Sequence, residues 1–173
     1  MKKIVKIFFL IIYYALASKL PNYSYPGGCF YNWVRVFCLK RIIVIGNECR
    51  IMRNVYIGNG NEIIIGDNCR INENVRLDNI EMGNHVMVAR DSVLLGKSHN
   101  YKELEIPMEN QGNAVTEKIF INDDVWLGLR SIIMPGIKIE KGTIIGAGAV
   151  VTKNTELNGI YGGVPAKLIR HRT

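Results

Sequence analysis

The chain has 173 residues and a formal net charge of +7, from 22 Lys and Arg against 15 Asp and Glu. That length suits one domain with an arm at most, and 48% apolar residues are enough for a core. Five Pro and no repetitive polar tract exclude a disordered chain, and four Cys with no CxxC pair exclude a disulfide-rich fold.

Residues 1–41 read as a basic, apolar, helical arm. Up to residue 47 the Lys and Arg are Lys2, Lys3, Lys6, Lys19, Arg35, Lys40 and Arg41, with no Asp or Glu, so the excess charge belongs to this arm. Its start resembles a secretory signal ending in Ala15-Leu16-Ala17, but it is expected to stay on the chain. The apolar run from Ile7 to Ala17 is too short for a bilayer, which needs about twenty residues. A helix from Ile4 to Leu20 instead suits an anionic membrane surface, with packing on the domain end or on a partner subunit as the alternative. So apolar an arm does not suit nucleic acid. Pro21 and Pro26-Gly27-Gly28 end the helix.

Residues 42–173 form the second region. From Ile45 the chain divides into sixes: IGNECR, IMRNVY, IGNGNE, then after a slip IGDNCR, INENVR, LDNI, MGNHVM, VARDSV and LLGKSH. The beat resumes with INDDVW, LGLRSI, IMPGIK, IEKGTI, IGAGAV and VTKNTE. The first position is always Ile, Leu, Val or Met, the second is often Gly, and the fifth is usually small or β-branched. A period of six fits neither an amphipathic helix nor an alternating strand. It fits one side of a triangular coil, with the first residue inside and Gly, Asn or Asp tolerating left-handed angles at the corner. Three sixes make a turn of about eighteen residues, giving about five stacked coils. Cys49 and Cys69 fall at fifth positions and read as buried free thiols. The arm is expected to cover one open end, and the tail, 158–173, to place a short helix over the other.

Residues 96–118 interrupt the beat with a polar loop expected to have no structure of its own, and His99 stands where it leaves the coil. A long insertion in a compact repeat is commonly functional, and neutral imidazole suits proton abstraction from a hydroxyl near pH 7. Gly96-Lys97-Ser98 is no phosphate loop, because the first glycine of that motif would fall at Asp91. The cysteines, all in or before the early coils, do not suit a Cys–His nucleophile. His85, His99 and His171 are too scattered for the three-histidine zinc site of a γ-class carbonic anhydrase, so no metal is expected.

The hexads, the His-bearing loop, DDVWLG (123–128), IIGAGAVVTKN (144–154) and GGVPAK (162–167) resemble the hexapeptide-repeat acyltransferases over roughly residues 45–170. The nearest branch is the sugar and polysaccharide O-acetyltransferases, beside the galactoside, maltose and xenobiotic enzymes. The resemblance implies an all-β, left-handed parallel β-helix assembled as a homotrimer with active sites between subunits. It implies acetyl-CoA as cosubstrate and His99 as general base in direct transfer to a sugar hydroxyl. It maps Gly128, Leu129 (backbone only) and Ala147 to the pantetheine arm. Thr152, Lys153, Lys167 and Arg170 map to the phosphates and adenosine, while Trp126 is read either as a wall of the acyl pocket or as cover for the prism. Asn72 or Asn74 and Asp78 map to the acceptor; Arg90 and Tyr101 are expected to border it only from their place near the loop, since no motif fixes their role. A cytoplasmic location, peripheral on the inner membrane face, follows from acetyl-CoA and the arm. An N-acetyltransferase of an amino-sugar nucleotide, a xenobiotic acetyltransferase and a non-catalytic scaffold are the alternatives.

Overall fold

The computed structural model describes residues 2–173; Met1 and the Lys2 side chain, both part of the expected basic arm, lie outside the described residues. The repeat winds a left-handed parallel β-helix of three faces. The first face stacks β1 (Val44–Ile45), β3 (Ile63–Ile65), β6 (Ile80–Met82), β9 (Ile119–Ile121) and β12 (Lys138–Ile139). The second stacks β2 (Arg50–Ile51), β4 (Arg70–Ile71), β7 (Met87–Val88), β10 (Trp126–Leu127), β13 (Ile144–Ile145) and β15 (Gly159–Gly162). The third stacks β5 (Arg76–Leu77), β8 (Val93–Leu94), β11 (Ile132–Ile133) and β14 (Val150–Val151).

The six-residue phase is the one expected. Every first-position residue from Ile51 to Val151 is buried, and Ile45 is half-buried. Most fifth positions, including Cys49, Cys69, Ser92, Ser131 and Thr143, are buried beside them, while Asn61 and Ser98 are exposed. The polar ones are satisfied: Ser92 Oγ donates to the Gly128 carbonyl at 3.0 Å, and Thr143 Oγ1 to that of Glu156 at 3.2 Å. Both thiols are free, and Cys69 is pushed up, first by its contact with the Cys49 thiol and then by burial.

The corners carry the residues expected of them. The left-handed residue is the fourth of most sixes, at Gly60, Gly136, Gly142 and Gly148, at Asn54, Asn68, Asn74, Asp91 and Asp124, and also at Glu48, His85 and Arg130. Most second-position glycines have a different role, which is close stacking of coil on coil. A Cβ on Gly66 would lie 2.6 Å from the Asn84 amide oxygen and the Gly83 carbonyl. Along that corner three third-position side chains accept from a backbone N–H of the coil before them. Asp67 accepts from Asn47 at 2.6 Å, Asn84 from Asp67 at 2.8 Å and Asp123 from Asn84 at 2.7 Å. Asn84→Ala strands one such donor, and its expected cost is about 1–2 kcal/mol. The check is a lower denaturant midpoint at unchanged slope.

The arm covers the first coil with two helices, α1 (Lys2–Ala15) and α2 (Gly28–Leu39). The single helix expected from Ile4 to Leu20 stops at Ala15, where the chain tightens into a 3₁₀ turn over Ala17–Lys19. Tyr13 Oη donates to the Val55 carbonyl at 2.8 Å, and Asn54 N–H to that of Ser18 at 2.8 Å. Asn32 both donates to Cys49 O and accepts from Ile51 N–H. Arg35 is fully buried and donates to the carbonyls of Leu20, Pro21 and Ile51. Among the described residues no helix is long and apolar enough to cross a membrane.

At the other end the expected short helix is absent. Residues Lys167–His171 form β16, antiparallel to β15, with Ile160 opposite Arg170 and Gly162 opposite Lys167. The outer edge of β15 offers unpaired backbone groups, and the returning chain satisfies them as a strand.

Candidate active site

The loop leaves the prism at Gly96, which packs so closely on the corner below that a Cβ would lie 2.5 Å from the Asp78 carbonyl oxygen. Two residues on, the strands of the loop pair. Ala114 N–H donates to Ser98 O at 2.9 Å, Asn100 N–H to Gly112 O at 3.1 Å, and His99 stands opposite Asn113. Further out the loop is closed by amides. Asn100 Nδ2 donates to the carbonyls of Gln111 and Asn113, and Gln111 Nε2 to those of Glu103 and Ile106. The insertion expected to lack structure of its own is therefore a stitched hairpin. Its return is fixed by Ile119 N–H on Asn79 O at 3.0 Å and by Lys118 against Glu62 and Glu81.

His99 thus projects from a fixed neck. It is exposed, and no side chain among the described residues hydrogen-bonds its imidazole. The other expected residues fall on distinct edges. Asp78 lies directly beneath the loop exit, and Thr152 and Lys153 follow β14 at the same edge. Tyr101 is in the loop. Asn72, Asn74, Arg90, Gly128, Leu129 and Ala147 all stack on the neighbouring edge, between the second and third faces, on four successive coils. Trp126 lies on the outer surface of the second face. Its register runs through Ile144 and Ile160 to Arg170, so the tail strand carries Lys167 and Arg170 on that same face.

Two grooves follow. One, of about 530 Å³, is lined by Asn74, Arg90 and Leu129 with Asn22, Glu73 and Arg130. The other, of about 360 Å³, brings Trp126 and Asn72 together with Arg50, Arg70 and Met87. Neither includes His99. Asn22, Arg50 and Arg70 were not singled out from sequence. The arginines were reachable, because the sixth position of a coil points outward and aligns Arg50, Arg70, Met87 and Trp126 in one column.

Several expected groups are already engaged. Gly128 N–H donates to Ile145 O at 2.8 Å and its carbonyl accepts from Ser92, so the backbone contact expected of Gly128 is spent within the prism. A Cβ there would lie 2.6 Å from Ile145 O, which explains the glycine. Asn74 Nδ2 donates to Asp91 at 2.9 Å and Oδ1 accepts from Asn54, while Asn72 Nδ2 donates to Val88 O. Those bonds hold corners together. Ala147 is exposed at its corner, and Leu129 O accepts from Gly148 N–H at 2.8 Å. Among the described residues no group of three or more His, Cys, Asp or Glu is placed to hold a metal.

Residues 118–153 match the family model described as bacterial transferase hexapeptide (six repeats). The chain is 33% identical over 92 residues to a galactoside O-acetyltransferase of Lactococcus lactis, covering 53% of this chain and 43% of that one. It is 54% identical over 71 residues to a chloramphenicol acetyltransferase of Agrobacterium fabrum, covering 39% and 34%. The chain spans less than half the length of these curated relatives. Across 98% of its length it superposes on a galactoside acetyltransferase in complex with coenzyme A, with a TM-score of 0.78, 26% identity and 80% of that chain covered. Repeat and fold resemble those of the hexapeptide-repeat acetyltransferases, with galactoside O-acetyltransferases among the similar proteins.

Proposed function

We propose that this hexapeptide-repeat chain transfers acetyl from acetyl-CoA to a sugar hydroxyl of a cell-surface polysaccharide or its lipid-linked precursor. The carrying observation is the division of the site residues between two edges of one prism. His99, Asp78 and Tyr101 occupy one edge, while Leu129 and Ala147 occupy the next, a face-width away. A second prism set edge to edge supplies what one lacks, so the working unit is a homotrimer with three shared sites. The bare imidazole supports this reading, since a catalytic base is ordinarily oriented by a further group. The exposed Leu104 and Val115 of the loop, 94% and 87% accessible, also find cover in such a groove.

In the reaction His99 takes the proton from the acceptor hydroxyl as its oxygen attacks the acetyl carbon. The new C–O bond forms, the C–S bond breaks, and the proton passes on to the departing thiolate. Lys153, Lys167 and Arg170 supply cations for the phosphates of the cosubstrate. Trp126 walls the acyl end, and Asp78 with Asn72 or Asn74 meets the sugar, bordered by Arg90. The galactoside acetyltransferase neighbours favour a sugar hydroxyl over other acceptors. The test is free-thiol release from acetyl-CoA across a panel of saccharides, amino-sugar nucleotides and chloramphenicol. Turnover with hydroxyl sugars is expected. Turnover confined to amine acceptors or to the drug overturns the assignment.

A further inference from the structure

The arm carries a surface that neither the prism nor the acetyl-transfer site uses. Phe30, Trp33 and Phe37 follow one face of α2, with ring centroids 6.1 and 5.4 Å apart. Phe37 meets Phe9 of α1 at 5.9 Å, and Phe9 meets Phe8 at 5.5 Å. The result is one aromatic ribbon across both helices, exposed at Phe8, Phe30, Trp33 and Phe37. Ile4, Ile7 and Ile11 extend it along α1 at helical spacing, and all three are exposed. Exposed apolar area this continuous marks a contact surface rather than scatter.

Beside the ribbon lies a groove of about 480 Å³ whose lining includes Lys6, Lys40, Arg41, Glu62 and Lys118. Lys118 is paired with Glu62 and Glu81. The other three cations meet only neutral oxygens: Lys6 on Asn61, Lys40 on Asn47 and Arg41 on the Phe37 carbonyl. Arg41 joins the two features, its guanidinium carbon 3.6 Å from the Phe37 ring centroid and 5.0 Å from that of Phe9. Apolar rings and unneutralised cations therefore share one border.

We propose that this two-helix face docks on an anionic phospholipid surface, the rings entering the interface and the Lys6–Lys40–Arg41 groove seating headgroup phosphates. The chemistry selects the occupant. A second copy of the chain would bring two acid-free, basic arms face to face, and their like charges oppose that contact. A lipid interface accepts aromatic rings at headgroup level and draws basic groups from the same side. The helices lie along the surface, since neither is long enough to cross it.

The experiment uses the whole chain carrying Trp126→Phe, so that Trp33 is its only tryptophan. It is mixed with phosphatidylcholine vesicles with and without phosphatidylglycerol, and its readouts are independent of acetyl transfer. With anionic vesicles, Trp33 emission shifts to shorter wavelength, brominated acyl chains quench it, and the protein sediments with the lipid. Lys6→Glu with Lys40→Glu, at exposed or half-exposed positions, weakens sedimentation more than tenfold at an unchanged melting transition. Trp33→Ser with Phe37→Ser weakens it on both vesicle types. Unshifted emission with the protein left in the supernatant overturns the proposal. So does equal binding to pure phosphatidylcholine, or lipid-free self-association that shields Trp33.

Discussion

Replacing His99 with alanine is expected to lower kcat for sugar acetylation by about 10²–10⁴-fold, the usual contribution of a general base. The KM for acetyl-CoA should move little, because Lys167 and Arg170, assigned to its phosphates, lie on the tail strand of the second face. The fold should be untouched. His99 is exposed, and the loop neck is held by backbone bonds of Ser98, Asn100, Gly112 and Ala114 together with amides of Asn100 and Gln111. Steady-state rates, a melting curve and the sedimentation mass of parent and variant decide the matter. A variant that keeps its mass and melting transition yet turns over within a few-fold of the parent removes His99 as the base.

The second large effect is structural. Arg35→Ala is expected to destabilise the protein by about 3–5 kcal/mol. The guanidinium is wholly buried and donates to three carbonyls, those of Leu20 and Pro21 at the end of the first arm segment and Ile51 in the first coil. Among the described residues no carboxylate pairs with it, so backbone dipoles alone hold its charge, and burial lowers its pKa. Removing it leaves the buried Ile51 carbonyl and the part-buried Leu20 and Pro21 carbonyls without this donor, at up to about 1–3 kcal/mol each before water enters, and opens a void. Arg35→Met fills the void without restoring a donor and should recover only the packing share. Denaturant unfolding gives the energy, and protease cleavage between residues 20 and 27 reports release of the arm. A loss under about 1 kcal/mol would mean that the arm is held by other contacts.

Much of this architecture was legible in the order of residues, because a six-residue period has one structural solution and each first position must be buried. Ile51, Leu77, Leu127 and Val151 lie where that arithmetic puts them. The corner chemistry was legible too, with Gly, Asn and Asp at most left-handed fourth positions, whereas Gly66 and Gly128 at second positions are required by close stacking. Glu48 and Arg130 adopt left-handed angles that their side chains do not advertise. The tail sequence AKLIRH suits helix as well as strand, and only the open edge of β15 decides between them. The loop looked structureless because its order rests on the amides of Asn100 and Gln111, which follow no period. Separation of the site residues onto two edges follows from counting sixes, whereas engagement of Asn72, Asn74 and the Gly128 N–H needed coordinates.

The third-position side chains carry one more consequence. The bond from Asn84 N–H to Asp123 joins residues 39 apart in sequence as though the hairpin between them did not exist. Coil-to-coil alignment is thus set on both sides of the insertion without any help from it. The excursion is a cassette in its mechanics: its length and composition can change while the spindle beneath keeps its register.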